Sequence, residues 1–403
     1  MVASEIANVI LKIILWIVTV GLAIPTSVLV IECAAAFLKA RDRDSDSEAP
    51  RPKIAVLMPA HNEAAVIEQT ITTLLPQLEP TDRAIVIADN CSDRTPEIAR
   101  NAGATVLERQ DNERRGKGYA LDFGLRALES DPPDVLVMVD ADCQVEPGAI
   151  DRIARQAAAL QKPVQALYLM KQPPSPSPKD AVSALAFLVK NLVRPQGLER
   201  LGQPCLLTGT GMAFPWSTIR MVDLASGNIV EDMQLGLDLA LVGRAPTFCP
   251  EAKVTGIFPA QDAAADSQRT RWEHGHLQTL VSQVPRLAKA AVVQKRSDLL
   301  ALALDLCVPP LSLLVGLEVV ATGVAFLAGM FGLGWQPFAV LALQCVLLAV
   351  AIVGAWSKFG RTEVPAKMLL TVPMYVLGKV PLYFKFLVRP QQDWVRTERD
   401  TLK

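Results

Sequence analysis

The apolar residues of this chain are concentrated near its two ends, and this distribution limits its possible folds more than any other feature. Residues 6–38 read IANVILKIILWIVTVGLAIPTSVLVIECAAAFL, and about 20 predominantly apolar residues are enough for a helix to cross a bilayer. No small-residue cleavage site follows a short apolar core, so we interpret the run as an anchor and not as a removed signal peptide. Three further apolar blocks follow: residues 299–331, 337–356 and 364–388. The pattern predicts a membrane protein.

The last apolar block, 364–388, is interrupted by Lys367, Lys379 and Lys385. A lysine at the centre of a bilayer costs roughly 2.5–3.5 kcal/mol on insertion scales. We therefore predict that this block is interfacial or re-entrant, whereas the two blocks before it are predicted to span the membrane.

The residues between the first two apolar blocks have the composition of a soluble domain. The predicted organisation is a transmembrane anchor at 1–38, a charged linker at 39–53, a soluble domain at 54–285 and a C-terminal membrane region at 286–403. The formal net charge of -1 gives no sign of nucleic-acid binding, and no nucleic-acid partner is expected. The seven cysteines form no CxxC pair, which argues against a zinc site and against a disulfide framework.

Short apolar runs alternate with helical patterns in the soluble domain. The runs IAVLMP (54–59), AIVIA (84–88), ATVL (104–107) and VLVMV (135–139) predict strands. Apolar strands that alternate with helices indicate a parallel sheet with both faces covered. Ligands bind at the carboxyl ends of the strands in such sheets. The polar residues that follow these strands are His61, Asn62, Glu63, Asp89, Asn90, Asp140 and Asp142.

Two motifs follow or connect the predicted strands. The sequence DAD places Asp140 and Asp142 directly after an apolar strand. Such a pair can hold a hard divalent cation with a phosphate completing the shell, although aspartate is also common in turns and caps. Upstream, ERRGKGYAL (113–121) places Lys117 between two glycines before a predicted helix. This segment is either an anion-binding helix N-terminus or a basic turn.

Two later segments combine charged, amide and aromatic side chains. GNIVEDMQLGLDLA places Glu231 and Asp232 at the start of an amphipathic helix, where carboxylates either compensate the helix dipole or supply a general base. SQRTRWEHGH contains Gln268, Arg271 and Trp272. The arginine offers a fork for phosphate oxygens, and the tryptophan offers a flat face for a sugar ring or an aliphatic chain.

Two other features have open interpretations. The segment AVSALAFLVKNLVR (181–194) predicts an apolar helix with a basic end, which either packs inside the protein or contacts the membrane surface. His274 and His276 lie two residues apart, so helical spacing places them on different faces and argues against shared metal ligation.

Each motif is weak alone, but the order of the motifs is specific. The series DN, GKG, DAD, GTGM, ED and QxxRW, flanked by membrane segments, resembles the membrane-bound glycosyltransferase family 2. Relatives in that group include cellulose, chitin and poly-N-acetylglucosamine synthases and lipid glycosyltransferases. The resemblance covers roughly residues 54–280. It implies an α/β fold of the GT-A type, which is a Rossmann-like nucleotide-diphosphate-sugar transferase domain, with transmembrane helices added.

The resemblance also implies a role for each motif residue. Asp232 would be the catalytic base, and Asp142 and Asp140 would be metal ligands for Mg²⁺ or Mn²⁺. The implied donor-binding residues are Glu63, Asp89, Lys117, Asp140 and Arg271. The implied acceptor-binding residues are Glu231, Gln268 and Trp272. One base without a second carboxylate nucleophile predicts single displacement with inversion at the anomeric carbon.

The predicted function is sugar transfer from a nucleotide-diphosphate-sugar, with a UDP-sugar favoured, to a lipid-linked or polysaccharide acceptor in exopolysaccharide or glycolipid biosynthesis. The alternative is a small processive polysaccharide synthase, although a polymer channel usually needs more spanning helices than this chain offers. A non-catalytic membrane scaffold is a third possibility, against which the full motif set argues. A dinucleotide oxidoreductase is excluded because no GxGxxG follows the first strand.

Basic residues flank the first and last apolar blocks: Lys39, Arg41, Arg43, Arg51, Arg389, Arg396 and Arg399. Cytoplasmic flanks of membrane spans collect such residues. We therefore predict a multi-pass protein of the bacterial inner membrane, with membrane lipids as partners. The catalytic domain is predicted to face the cytoplasm, where sugar-nucleotides are made.

Overall fold

The computed structural model describes residues 2–39, 50–173, 176–225, 230–258 and 262–388. Two predicted features lie outside these residues: most of the linker, which includes Arg41 and Arg43, and the basic C-terminal residues Arg389, Arg396 and Arg399.

The soluble part of the chain alternates between strands and helices. The strands are β1 (Ile54–Ala60), β2 (Arg83–Asp89), β3 (Thr105–Arg109), β4 (Val135–Met138), β5 (Gln144–Val145), β6 (Val164–Lys171), β7 (Met212–Pro215) and β8 (Thr247–Ile257). The helices among them are α2 (Ile67–Leu74), α3 (Thr95–Asn101), α4 (Lys117–Ala127), α5 (Ala149–Leu160), α6 (Pro178–Leu188), α7 (Arg194–Arg200), α8 (Trp216–Ile219) and α9 (Glu231–Leu241). A 3-10 turn (Leu75–Gln77) extends α2, and a π-helix (Val189–Val193) joins α6 to α7.

Longer helices form the two ends of the chain. They are α1 (Val2–Ala35), α10 (Asp262–Gln294), α11 (Ser297–Cys307), α12 (Leu311–Met330), α13 (Gln336–Ala355) and α14 (Val372–Val388). A π-helix (Trp356–Gly360) extends α13, and a 3-10 helix (Ala366–Thr371) precedes α14. Because α10 continues to Gln294, it runs through the predicted domain boundary at residue 285.

All eight strands form one mixed sheet in the order β3-β2-β1-β4-β7-β6-β8-β5. Strands β1 to β4 are mutually parallel, as predicted. Strand β7, which was not among the predicted strands, is antiparallel to both of its neighbours, β4 and β6, so the complete sheet is mixed. Just before β7, the Thr210 hydroxyl accepts a hydrogen bond from the Asp140 backbone N–H at 3.0 Å. The chain therefore enters β7 from the edge at which β4 ends.

The strands at the centre of the sheet are buried on both faces. Ile54, Val56 and Met58 of β1 face a core that includes α2 and α5. Ala55 and Leu57 face a second core that includes α4. This alternation confirms the prediction that helices cover both faces. The parallel pairing of β1 with β2 and β4 places the carboxyl ends of the three strands at one edge.

Among the residues that the structure describes, three helices are long and apolar enough to cross a membrane: Glu5–Ala35, Leu311–Met330 and Gln336–Gly360. The predicted block 299–331 is divided into two helices, α11 and α12. Pro309 and Pro310 lie between them, and proline lacks a backbone donor and disfavours a helical conformation in the residue before it. The candidate span therefore begins at Leu311 and not near residue 299.

The soluble part is joined to α1 by a close helix crossing and a buried ion pair network. A Cβ atom at Gly197 of α7 would lie 2.0 Å from the Glu32 carbonyl oxygen of α1, so only glycine allows this approach. Arg194 bonds Glu32 Oε2 at 2.6 Å through Nε and Asp305 Oδ1 at 2.5 Å through Nη2. All three side chains are buried. The network holds α1, α7 and α11 together.

The apolar helix predicted at 181–194 packs inside the protein. It continues through α6 and the π-helix into α7, and Leu185 and Val193 belong to a core with Leu29 of α1 and Leu314 of α12. This helix thus packs against two of the candidate membrane spans, α1 and α12.

Candidate active site

The DAD carboxylates lie at the carboxyl edge of the sheet, directly after β4. Asp140 and Asp142 are half-buried, and the residue between them, Ala141, is buried. The Asp140 backbone is fixed by its hydrogen bond to Thr210. Burial raises the pKa of Asp140, although the neighbouring Lys117 ammonium opposes this effect. A rigid strand end thus holds two carboxyl groups beside a cation.

Lys117 connects the DAD and ED motifs. Its ammonium lies 2.5 Å from Asp140 Oδ1 and 3.7 Å from Glu231 Oε1, and it donates to the Gly209 carbonyl at 2.7 Å. Burial would lower the pKa of Lys117, but the nearby carboxylates outweigh burial and raise it. Lys117 is the first residue of α4. It follows Gly116, whose φ of 124° is a backbone angle that glycine adopts more readily than other residues.

The composition of the DAD cluster fits a hard divalent cation. Ligand atoms of Asp140, Asp142 and Cys143 lie within 4.8 Å of one another. Burial raises the pKa of the Cys143 thiol well above its usual range, which keeps it protonated and unsuited to ligation. Two carboxylates leave room for the oxygens of a phosphate group, which is the usual arrangement for Mg²⁺. Asp140 and Asp142 are the residues that would hold such an ion.

The ED motif begins helix α9, as predicted. Burial raises the pKa of Glu231 to about 7, with Asp232 adding to the effect and Lys117 opposing it. Gly209 approaches Asp232 so closely that a Cβ atom there would lie 3.2 Å from Asp232 Oδ2. With φ at +94°, Gly209 also has a backbone conformation that other residues rarely adopt. Glycine at position 209 of the GTGM turn thus allows the Asp232 carboxylate to lie close to the backbone of the turn.

Asp89 ends β2 at the same edge of the sheet. Both of its hydrogen-bond donors, Arg109 Nη1 at 2.6 Å and Asn90 Nδ2 at 3.1 Å, contact Oδ1. Within the described residues, Oδ2 therefore keeps its capacity to accept a further hydrogen bond. His61 Nδ1 donates to the Asp89 carbonyl at 2.7 Å. The Glu63 backbone N–H donates to Thr95 Oγ1 at 2.8 Å, and this bond fixes the loop after β1.

The QxxRW motif lies on helix α10. Gln268 is 6% exposed, and its Oε1 has no hydrogen-bond partner among the described residues. The Trp272 ring packs against Phe187 with the ring centroids 5.8 Å apart. Arg271 lines the same cavity as these two side chains. The motif thus places an amide, a guanidinium and an indole along one wall.

The two histidines after QxxRW contact different helices, as helical spacing predicted. His274 Nε2 bonds the Leu382 carbonyl of α14 at 3.1 Å, and His276 Nε2 bonds the Leu306 carbonyl of α11 at 3.4 Å. Burial lowers the pKa of His276 to about 3, and the nearby Lys190 and Arg194 add to this effect. Both rings therefore anchor neighbouring helices.

One cavity of about 560 Å³ brings all the predicted site residues together. The predicted residues in its wall are Glu63, Asp89, Lys117, Asp140, Asp142, Glu231, Asp232, Gln268, Arg271 and Trp272. The wall also includes Leu29 of α1, Leu311 of α12 and Tyr375 of α14. The cavity thus extends from the sheet edge to α14 and to the candidate membrane-spanning helices α1 and α12.

Several residues in or beside this cavity were not predicted from the sequence. Arg109 fixes Asp89, Thr210 fixes Asp140, and Glu273 bonds Lys379 at 2.5 Å. Lys190 and Asn191 line the wall from the π-helix. The signal available in the sequence was Lys190, a lone lysine inside an apolar helix. The other contacts join residues far apart in the chain, which a local pattern does not reveal.

The solved mannosyltransferase PcManGT from Pyrobaculum calidifontis, in complex with GDP-Man and Mn²⁺, is similar in fold. The match has a TM-score of 0.52 at 19% sequence identity and covers 86% of this chain and 98% of that one. The predicted GT-A fold, with helices of membrane-spanning length added, is thereby confirmed.

Curated relatives match over shorter segments. Probable glycosyltransferase YdaM of Bacillus subtilis (strain 168) is 36% identical over 107 residues, which is 25% of each chain. The low-salt glycan biosynthesis hexosyltransferase Agl6 of Haloferax volcanii is 40% identical over 94 residues, covering 23% of this chain and 21% of that protein. The matched segments thus span no more than a quarter of these relatives' own lengths.

The model of the family described as glycosyltransferase like family 2 matches residues 50–275. This range contains every predicted site residue and more than half of the 403 residues. The similarity to cellulose, chitin and poly-N-acetylglucosamine synthases stays a resemblance of motifs. The chain belongs to the family described as glycosyltransferase like family 2.

Proposed function

We propose that this enzyme moves a hexose or N-acetylhexosamine from a nucleotide-diphosphate-sugar to a lipid-linked or polysaccharide acceptor at the membrane, with inversion at the anomeric carbon. The observation that carries the proposal is the continuous cavity. Its wall combines the DAD and ED carboxylates with Leu29, Leu311 and Tyr375, which belong to helices of the membrane region. A donor bound at the sheet edge and an acceptor bound near the bilayer would meet in the same space.

The donor half of the cavity supplies groups for a nucleotide diphosphate. Oδ2 of Asp89 would accept a hydrogen bond from the base, and Asp140 and Asp142 would hold Mg²⁺ or Mn²⁺. A bound ion would supply charge stabilisation for the departing diphosphate. Lys117 and Arg271 add fixed positive charge to the same region. PcManGT, which has this fold, holds GDP-Man and Mn²⁺, and we propose the same classes of ligand here.

The ED carboxylates supply the proton-accepting group. An acceptor hydroxyl is a weak nucleophile, and Asp232 would take its proton as the oxygen attacks the anomeric carbon. Glu231, the residue before Asp232, lies 3.7 Å from the Lys117 ammonium and would orient the acceptor. Gln268 and Trp272 would line the acceptor path, with the Gln268 Oε1 as an unused hydrogen-bond acceptor.

We propose that the catalytic domain faces the cytoplasm and that helix α14 lies at the membrane interface. Large apolar side chains of α14 are exposed on one side: Met374, Leu377, Val380, Phe384, Leu387 and Val388. Polar groups on the other side contact the soluble part: Lys379 bonds Glu273, and Tyr375 bonds Ser183 at 3.0 Å. A helix that is polar toward the protein and apolar outward suits the boundary of a bilayer.

A donor screen tests the proposed function. Purified full-length protein in detergent is incubated with radiolabelled sugar-nucleotides, Mn²⁺ and membrane lipid extract. We expect one donor to label a lipid-extractable or polymeric product, and Asp232→Asn to abolish that labelling. A screen of UDP- and GDP-sugars that gives neither transfer nor metal-dependent nucleotide binding would contradict the proposal. The length of any labelled product separates single transfer from processive synthesis.

A further inference from the structure

Helix α14 is docked on the protein through polar contacts. Among residues 372–388, all of which the structure describes, Lys379 is the only buried residue, at 6% exposed. Lysine is almost never fully buried unless it is paired, and burying its ammonium without a partner costs free energy. The position of α14 therefore depends on what Lys379 contacts.

Lys379 and a tyrosine one turn before it connect α14 to two other helices. Lys379 Nζ lies 2.5 Å from Glu273 Oε1 of α10. The hydroxyls of Tyr375 and Ser183 form a hydrogen bond of 3.0 Å, and Ser183 belongs to α6. The Lys379 ammonium also lies 5.5 Å from the centre of the Tyr375 ring, within the range of a cation–π contact. One face of α14 thus contacts α6 and α10 together.

Helices α6 and α10 also contact each other at the cavity. Phe187, one turn after Ser183 on α6, packs against Trp272 of α10. Trp272 is the last residue of QxxRW and directly precedes Glu273. Contacts among α6, α10 and α14 therefore form a closed triangle. Five residues of this triangle line the cavity: Ser183, Phe187, Trp272, Glu273 and Tyr375.

Two consecutive residues after QxxRW bond α14. Glu273 bonds Lys379, and His274 Nε2 bonds the Leu382 carbonyl at 3.1 Å. Lys379 and Leu382 are three residues apart, so both bonds reach the same turn of α14. The end of the motif is thus fastened to a helix whose other side is apolar and exposed.

We propose that Lys379 and Glu273 are positioning residues of the active site, and that through this pair α14 holds the QxxRW motif at the cavity wall. The inference rests on the proposed function, in which the motif contacts the acceptor and the diphosphate. A charge-assisted bond between buried groups is short and strong, which suits a positioning role. Removing one partner leaves an uncompensated buried charge and is strongly destabilising. Loss of the pair therefore releases the motif.

A different role for the pair is to fasten α14 to the protein without any effect on the motif. That role changes the melting temperature but leaves the backbone of the motif, and the transfer rate of each folded molecule, unchanged. A positioning role changes both. The decisive measurement is therefore local hydrogen exchange within α10.

The test uses purified full-length protein in detergent without nucleotide. Lys379→Met removes the ammonium and keeps the length of the side chain, whereas Lys379→Arg keeps the charge. Combining Lys379→Met with Glu273→Gln removes both charges, so that folding of this double variant does not require an unpaired buried charge. Lys385→Met is the matched control, because Lys385 is an exposed lysine on the same helix.

Hydrogen exchange of backbone amides is compared between two parts of α10. We expect exchange over residues 268–276 to become at least about tenfold faster in Lys379→Met and in the double variant, because local opening no longer breaks a buried ion pair. Exchange over residues 286–294 should change less than about twofold, because Leu287 and Ala291 pack in a core with α9 and α11. Lys379→Arg and Lys385→Met should exchange like the unaltered protein.

Two results of the exchange measurement would overturn the proposal. One is unchanged exchange over residues 268–276 in both Lys379→Met and the double variant. The other is equal acceleration in both parts of α10, because it would show a loss of global stability and not a local release of the motif.

Transfer is the second readout, with the donor and lipid extract of the screen described above. We expect Lys379→Met to lower transfer at least about tenfold, because small displacements of positioned groups are costly, and Lys379→Arg to retain it. The stoichiometry of nucleotide binding with Mn²⁺, which counts folded molecules, should be the same in both variants. Unchanged transfer in Lys379→Met would refute the positioning role.

Failure of the proposed function is a separate result. If the unaltered protein binds no sugar-nucleotide and transfers no sugar, the proposed function is overturned, whereas a local change in exchange still supports the fastening of the motif to α14. If the unaltered protein transfers sugar and Lys379→Met transfers it equally well, the proposed function is supported and the positioning role is overturned.

Discussion

Replacing Glu231 with glutamine is expected to stabilise the ligand-free protein at alkaline pH but much less at acidic pH. Burial raises the pKa of Glu231 from 4.5 to about 7. A carboxyl group with a higher pKa in the folded state binds more protons there than in the unfolded chain. Its effect on the free energy of unfolding therefore becomes less favourable as the pH rises from 4.5 toward 7. Glutamine, which does not titrate, removes this dependence.

The size of the effect follows from the pKa difference. Each unit corresponds to about 1.4 kcal/mol, so ionising Glu231 destabilises the folded state by roughly 3 kcal/mol at pH 8 and by less than about 1 kcal/mol at pH 5. The side chain is 16% exposed, so solvent screens it little. The gain from glutamine should thus be roughly 2–3 kcal/mol larger at pH 8 than at pH 5. For a domain of this size, the corresponding rise in melting temperature is about 5–10 °C.

The assay is thermal unfolding of the purified protein in detergent with a chelator and without nucleotide. Glu231→Gln and the unaltered protein are compared from pH 5 to pH 8. Glu68→Gln is the control, because Glu68 is exposed on α2, and its difference from the unaltered protein should stay constant. A Glu231→Gln difference that is equally constant, or that grows toward acidic pH, would refute the burial argument.

Three further results are expected. Asp232→Asn should lower transfer by at least about 10²-fold while donor binding stays nearly intact, because the amide cannot take a proton; substantial residual turnover would remove Asp232 from the role of base. Asp142→Ala should weaken metal-dependent binding of the nucleotide diphosphate, and chelator should abolish activity until Mg²⁺ or Mn²⁺ is restored; full activity after exhaustive chelation would exclude the metal site. Arg194→Leu should destabilise the protein by about 3–5 kcal/mol because it leaves two buried carboxyl groups unpaired; an unchanged melting temperature would show that the network contributes little.

The sequence was sufficient to predict the central strands and the edge of the sheet at which the site lies. An apolar run predicts a buried strand, and polar residues directly after it, such as Asp89 and Asp140, predict that the site lies at the carboxyl end of that strand. The antiparallel direction of β7 was missed because it depends on where the chain returns after α7. That contact, between Thr210 and Asp140, joins segments 70 residues apart.

In the C-terminal helices, too, local sequence patterns were predictive, whereas contacts between residues far apart in the chain were not. Hydropathy located the three candidate spans, but it merged α11 with α12 because average hydropathy hides the effect of Pro309 and Pro310. The polar pairs that fasten α14 were also hidden. Lys379 counted against a span in the sequence, whereas in the structure it bonds Glu273, 106 residues earlier in the chain.

The Glu32–Arg194–Asp305 network has a consequence for how the protein is made. Arg194 follows Glu32 by 162 residues and precedes Asp305 by 111. At a synthesis rate of about 5–20 residues per second, Glu32 waits roughly 8–32 s for its partner. If α1 inserts into a membrane during that interval, it does so with an unpaired carboxyl group three residues before its end at Ala35. Helix α1 can therefore make its contact with Arg194 only after most of the catalytic domain has been synthesised. Asp305, the second carboxylate of the network, is added later still.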